Sequence, residues 1–279
     1  MSSQTASNGR RTGALIAIGG NEDRTHHREV LKESLRALPA GAGGPPRVAV
    51  LTAASLEPVR QWKAYREAFG ALGGQPLWLD VRSRSDAEAA ARLDDLRAAD
   101  LLFMTGGDQE RLVGLLNGTA AHRLILQRHR DEGLAIAGTS AGASALGTLM
   151  PGGKVIEDGA EIDLNNDPMP PGLGLIPGLV IDQHFTQRRR LARLISLVSR
   201  RGGLVGLGID EDTAAVIRPG PSLTVVGKGA VTLVDCRHAQ RSGVDQDIAS
   251  LRRVSFHRAV SGVTLNARGG GTGFAALLP

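Results

Sequence analysis

Short apolar runs alternate with longer segments of helical period through the first half of this 279-residue chain. Residues 14–18, 48–51, 77–79, 101–104 and 134–137 are apolar stretches bounded by glycine or small polar residues. Continuous runs of that length are the pattern of strands buried on both faces. Between them, residues 27–38, 59–72, 86–99, 110–116 and 121–129 carry helical spacing. In the second of these, Trp62, Tyr65, Phe69 and Leu72 share one face, and Ser85 precedes the third as a candidate N-cap. Strand and helix in alternation over about 150 residues predict an α/β fold with a mainly parallel central sheet and helices on both faces.

Beyond residue 150 the pattern changes. Residues 151–177 are rich in Gly, Pro and Asn and read as an irregular excursion, followed by a short strand at 179–181 and a helix over 186–200. In that helix Leu191, Leu194, Ile195 and Val198 form the apolar stripe, with the arginines mostly off it. Four apolar runs at 206–209, 214–217, 223–226 and 230–234 then come in quick succession. Such spacing predicts an antiparallel C-terminal extension of the sheet. No repeat or linker interrupts the chain. The expected organisation is a disordered polar lead over residues 1–12 and a single α/β domain over 13–279.

Composition narrows the function classes. Hydrophobic residues are 42% of the chain and aromatics 3%, so the core is built from Leu, Val, Ile and Ala. The net charge of +5 raises nucleic acid as a partner, but the basic residues are dispersed and only 188–193 is dense. Without zinc-finger spacing or an aromatic stacking platform, no nucleic-acid partner is expected. The single Cys236 excludes an intramolecular disulfide and a Cys-only metal cluster, and its place after an apolar run suits a buried structural thiol. The polar first residues and the lack of an 18-residue apolar run argue against a signal segment, a membrane partner or a spanning helix. A cytoplasmic location follows as the expectation.

The chemistry concentrates at strand ends, where open parallel sheets bind ligands. Gly138-Thr139-Ser140-Ala141-Gly142 fits the G-x-S-x-G nucleophile elbow and sits between a predicted strand and helix. A serine at a sharp strand-to-helix turn needs small neighbours, and every residue from 138 to 143 apart from Thr139 is Gly, Ala or Ser. The amide of Ala141, opening the helix, is a candidate oxyanion donor. Gly106-Gly107-Asp108-Gln109 ends the preceding strand, which makes the Gly107 amide the second candidate. No Lys-Ser/Thr follows that turn, so it is not a P-loop. Gly19-Gly20-Asn21-Glu22-Asp23 is a similar loop, too short for a dinucleotide fingerprint. Of seven histidines, only His184 follows an apolar strand directly, in Asp182-Gln183-His184-Phe185. A base of this kind needs an acid to fix its tautomer, and Asp210, Glu211 and Asp212 stand at the next strand end.

Ile-Gly-Gly, Gly-Gly-Asp-Gln, Gly-Thr-Ser-Ala-Gly-Ala, Asp-Gln-His-Phe and Gly-Ile-Asp-Glu, in this order, resemble the cyanophycinases, a serine peptidase family that also contains the α-aspartyl dipeptidases. The resemblance runs from about residue 13 to residue 235. It implies a Ser-His-Glu triad falling on Ser140, His184 and Glu211, and substrate contacts at Gln109, Asp182, Gln183, Arg188, Arg190 and Arg193. It further implies a homodimer that uses no metal and no cofactor. The implied reaction is exopeptidase cleavage of cyanophycin, an arginine-decorated poly-aspartate, to β-Asp-Arg dipeptides. A small-peptide aspartyl dipeptidase is the alternative. The arginines after His184 suit the substrate's free carboxylates. Its guanidinium needs acids, for which Asp23, Asp108, Asp182 and the segment 157–167 are available. Asn21 and the stretch 165–171 depart from the family pattern, which is expected to touch substrate selection more than chemistry.

Overall fold

The computed structural model describes residues 11–39, 44–152, 169–220, 222–242 and 250–266. The first half runs β1 (Leu15–Ile18), α1 (Glu29–Arg36), β2 (Arg47–Leu51), α2 (Pro58–Ala71), β3 (Gln75–Leu79), α3 (Ala90–Ala98), β4 (Leu101–Met104), α4 (Gln109–Leu116), α5 (Ala120–Asp131), β5 (Ala135–Thr139) and α6 (Ala141–Ser144). The second half runs β6 (Leu179–Gln183), α7 (Leu191–Ser199), β7 (Val205–Ile209), β8 (Thr213–Arg218), β9 (Ser222–Gly227), β10 (Ala230–Asp235), β11 (Gln240–Ser242), β12 (Ser250–Arg252), β13 (Ser255–Val260) and β14 (Thr264–Asn266).

An eight-stranded sheet has the order β14-β9-β8-β1-β5-β4-β2-β3. Its β1, β5, β4, β2 and β3 run parallel, and β8, β9 and β14 add to it antiparallel. The mainly parallel sheet and the antiparallel extension expected from the apolar pattern are both present. A separate four-stranded sheet, β13-β10-β7-β6, was not anticipated; it carries the strand that leads to His184. Two clusters of buried side chains cover the faces of the large sheet. On one, Tyr65 and Phe69 of α2 pack on Phe103 of β4, with ring centroids 4.7 and 5.1 Å from it.

Three local expectations change. The helix expected over 86–99 is broken at Ala89, whose extended ψ of 133° separates a 3-10 turn, Asp86–Glu88, from α3. Ser85 does not cap it; Asp86 instead accepts from the amides of Arg82 and Ser83. The helix expected over 186–200 begins only at Leu191, because Arg189 takes a left-handed φ of 50°. Its buried face is Arg193, Leu194, Leu197 and Val198, while Leu191 is exposed. The stripe is thus displaced, and it includes an arginine. Cys236 is half-buried, with its thiol pushed up to about 11, chiefly by burial.

Candidate active site

The site forms where the carboxyl end of β1 meets its neighbours. Three successive carbonyls there hold three loops: Ile18 accepts from the amide of Ser140 at 3.0 Å, Gly19 from His184 at 2.8 Å and Gly20 from Asp212 at 2.9 Å. One strand end thereby brings together a serine, a histidine and an acidic loop from distant parts of the chain. Gly20 also makes room for the imidazole, since a methyl group at that position would lie 2.4 Å from His184 Cε1.

Ser140 follows β5 with φ 51° and ψ −111°, a conformation that L-residues avoid and that a tight turn enforces. The turn is tight because β5 and α6 nearly touch. A Cβ at Gly138 would fall 2.3 Å from the Gly142 oxygen, and one at Gly142 would fall 2.5 Å from the Met104 oxygen. Glycine is therefore required at both, which is the physical content of the elbow pattern. Ser140 Oγ lies 3.0 Å from His184 Nε2, and His184 Nδ1 lies 2.6 Å from Glu211 Oε1. Glu211 Oε2 accepts from Asn21 Nδ2 at 2.9 Å, and the Glu211 amide donates to Gln187 Oε1 at 3.2 Å.

Electrostatics follow from burial and partners. Burial pushes the His184 imidazole below its ordinary value, against the hydrogen bond it donates to Glu211. That favours the neutral ring, with Nδ1–H donating to Glu211 and Nε2 free to accept from Ser140. Burial pushes the Glu211 carboxyl up, but hydrogen bonds from Asn21 and His184 outweigh it and hold the group below the usual glutamate range. Of the three acids left open at this strand end, Glu211 alone reaches the ring. Asp210 accepts from the amide and hydroxyl of Thr186 and from the amide of Ala230, and Asp212 pairs with Lys228 at 2.7 Å.

The Gly106-Gly107 turn lies against the elbow, anchored by the Asp108 amide on Ala54 O at 2.9 Å. A methyl at Gly106 would come within 3.3 Å of Ser140 Cβ. Among the described residues the amides of Gly107 and Ala141, the two oxyanion-donor candidates, have no protein acceptor.

The remaining candidates divide. Asp182, Gln183, Arg190 and Arg193 are all buried, as is Gln109. Arg190 donates to Asp182 Oδ1 at 2.8 Å and to Gln183 O at 2.9 Å. Arg193 approaches the same carboxylate at 3.7 Å and donates to Gly152 O at 2.7 Å, while Gln109 Nε2 donates to Pro151 O at 3.1 Å. The expectation that the arginines lie mostly off the buried stripe is corrected for Arg193, and Arg190 is buried as well: burying a guanidinium requires a counter-charge, and Asp182 supplies it. Arg188 alone of the three is exposed. The acids expected to meet a guanidinium are committed too. Asp23 accepts from four backbone amides of residues 25–28, and Asp108 caps α4. The segment 157–167 lies outside the described residues.

Two side chains that touch the site's elements escaped the sequence reading. Asn21 touches Glu211, and the buried Glu22 accepts from Thr139 Oγ1 at 2.5 Å and from the hydroxyl of Tyr65. The Gly-Gly signal located their loop, but no pattern within it points across the sheet. Asn21 thus lies within hydrogen-bond reach of the acid that meets His184.

A cyanophycinase of Trichormus variabilis is 40% identical over 225 residues, covering 80% of this chain and 73% of the relative. One from Geminocystis herdmanii is 38% identical over 223 residues, covering 80% of each. The crystal structure of a peptidase from an acI-B1 Actinobacterium shares the fold, with TM-score 0.71 and 22% identity over 92% of this chain and 98% of that one. The model of peptidase family S51 matches residues 15–224, and with these relatives it shows that the chain belongs to that family.

Proposed function

We propose that this chain is a serine exopeptidase that hydrolyses cyanophycin to β-Asp-Arg dipeptides, with Ser140, His184 and Glu211 as its triad. The observation that carries the reading is the continuous hydrogen-bonded chain from Ser140 Oγ through the imidazole to Glu211. Its relatives named cyanophycinase, at about 40% identity, support the substrate.

In this mechanism Ser140 Oγ attacks the aspartyl carbonyl while His184 Nε2 takes its proton. Glu211 holds the ring with Nδ1 protonated and stabilises the imidazolium. The amides of Gly107 and Ala141 receive the developing oxyanion. The imidazolium then protonates the departing amine, and water releases the acyl group by the same steps in reverse order. Exposed Arg188 is the guanidinium placed to meet a free carboxylate of the polymer, and buried Arg190 and Arg193 brace the wall beneath it through Asp182. Gln109 and Gln183 support that wall from α4 and β6.

The reading includes a cytoplasmic homodimer and one hydrolytic domain from residue 13 onward. The resemblance supports the dimer. Among the described residues no helix is long and apolar enough to cross a membrane, and light scattering of the purified protein checks the dimer. Incubation with cyanophycin and identification of products by mass tests the function. β-Asp-Arg should accumulate with the parent protein, and Ser140→Ala should lower turnover by about a million-fold. Release of dipeptide by the variant within tenfold of the parent overturns the serine mechanism.

A further inference from the structure

The loop after β1 does more than pass by the site. We propose that Asn21 is a positioning residue for the triad acid, its side-chain amide fixing the Glu211 carboxylate so that His184 keeps one tautomer. This rests on the triad assigned above and deepens it.

The geometry makes the case. The two oxygens of Glu211 have separate partners: Oε1 takes His184 Nδ1 at 2.6 Å and Oε2 takes Asn21 Nδ2 at 2.9 Å. The side chain of Glu211 is 29% exposed, too open for packing alone to set its torsions, so hydrogen bonds must orient it. Asn21 is delivered by a rigid loop. On one side Gly20 O accepts from the Asp212 amide, and on the other the Asp23 amide donates to Asp212 Oδ1 at 2.9 Å. The next side chain, Glu22, is buried against Thr139 and Tyr65. Asn21 itself has a φ of 49°, a left-handed conformation that asparagine and aspartate tolerate better than other non-glycine residues. Backbone shape and side-chain chemistry therefore select the same residue.

An N–H donor to a carboxylate stabilises its ionised form. Removing it raises the proton affinity of the coupled Glu211–His184 pair, so the acid limb of reactivity moves to higher pH. Other charges face this pair. They are Arg188 and Arg190 from the turn after β6, Glu22, Asp23, Arg24, His26 and His27 from the β1 loop, Asp212 with Lys228, and Asp210 near Arg258. All persist in the variants, so the difference between profiles reports the substituted position.

The test uses the full chain and a fluorophosphonate probe, which reads Ser140 reactivity whatever peptide is the substrate. Asn21→Gly keeps the left-handed backbone without the donor, and Asn21→Asp keeps shape while setting a carboxylate against a carboxylate. Labelling of Asn21→Gly should slow about 3- to 10-fold at neutral pH, with its acid limb about half a unit higher. Asn21→Asp should shift further the same way. Cyanophycin kcat should fall with KM unchanged, and thermal unfolding should confirm that both variants fold. Unchanged limbs, a shift to lower pH, or a loss confined to KM would overturn the inference while leaving the function standing. Absence of labelling in the parent would overturn both.

Discussion

The two halves of the site are built on opposite physical terms. The nucleophile side is held by shape. Gly138, Gly142 and the alanines of α6 let β5, β4 and the helix approach to contact, and the strained Ser140 backbone follows from that crowding. The base–acid side is held by polar partners. His184, Arg189 and Asp212 all take left-handed φ values between 48° and 50°, and Asp182, Asp210, Gln187 and Asn21 hold the turns that contain them. Shape fails when volume is added; a polar network fails when one member is deleted. A serine side can therefore be recognised by what is small, whereas a histidine side is recognised only by what is paired.

Substitutions on each side sharpen that contrast. The largest expected effect is on the polar side. Asp182→Ala takes from the buried Arg190 guanidinium the carboxylate 2.8 Å away, and loss of one partner of a buried ion pair costs about 3–5 kcal/mol. Urea unfolding measures it, and a cost below about 1 kcal/mol would show that the cluster is not what braces the turn after β6. The second tests shape. Gly138→Val places a branched side chain where even a Cβ sits 2.3 Å from a carbonyl oxygen, and overpacking of this kind costs about 1–3 kcal/mol. Its turnover should fall on the order of 100-fold, because the elbow must shift by about an ångström to make room. Parental turnover in a folded Gly138→Val protein would break the comparison.

The smallest effect separates binding from architecture. Arg188→Ala removes an exposed guanidinium without touching the Asp182 cluster. It should leave thermal unfolding where it was and raise KM on cyanophycin roughly tenfold, as loss of a charge-assisted contact does. Added salt should weaken the parent more than the variant. An unchanged KM would remove Arg188 from the substrate and leave the polymer to be held elsewhere.

Much of this was legible because it is local. The nucleophile elbow is a five-residue steric requirement, and a strand–turn–helix around it is fully specified by small residues and apolar runs. His184 could be singled out because it ends an apolar run, and the parallel core because its strands are apolar on both faces. The amino-acid order by itself therefore determined the sheet, the serine and the short set of acids from which Glu211 came. It misjudged the arginines for a physical reason. Arg190 precedes the helix, which begins at Leu191 after the left-handed Arg189, and Arg193 lies on the helix's buried face beside Asp182, where period alone does not say which face meets a counter-charge. Tertiary structure alone decided the partnerships across the sheets. Asn21 and Glu211 are 190 positions apart, Glu22 and Thr139 are 117 apart, and no period links them. They meet because three consecutive carbonyls at the end of β1 each take an amide from a different loop, a convergence that exists only once the strands have paired.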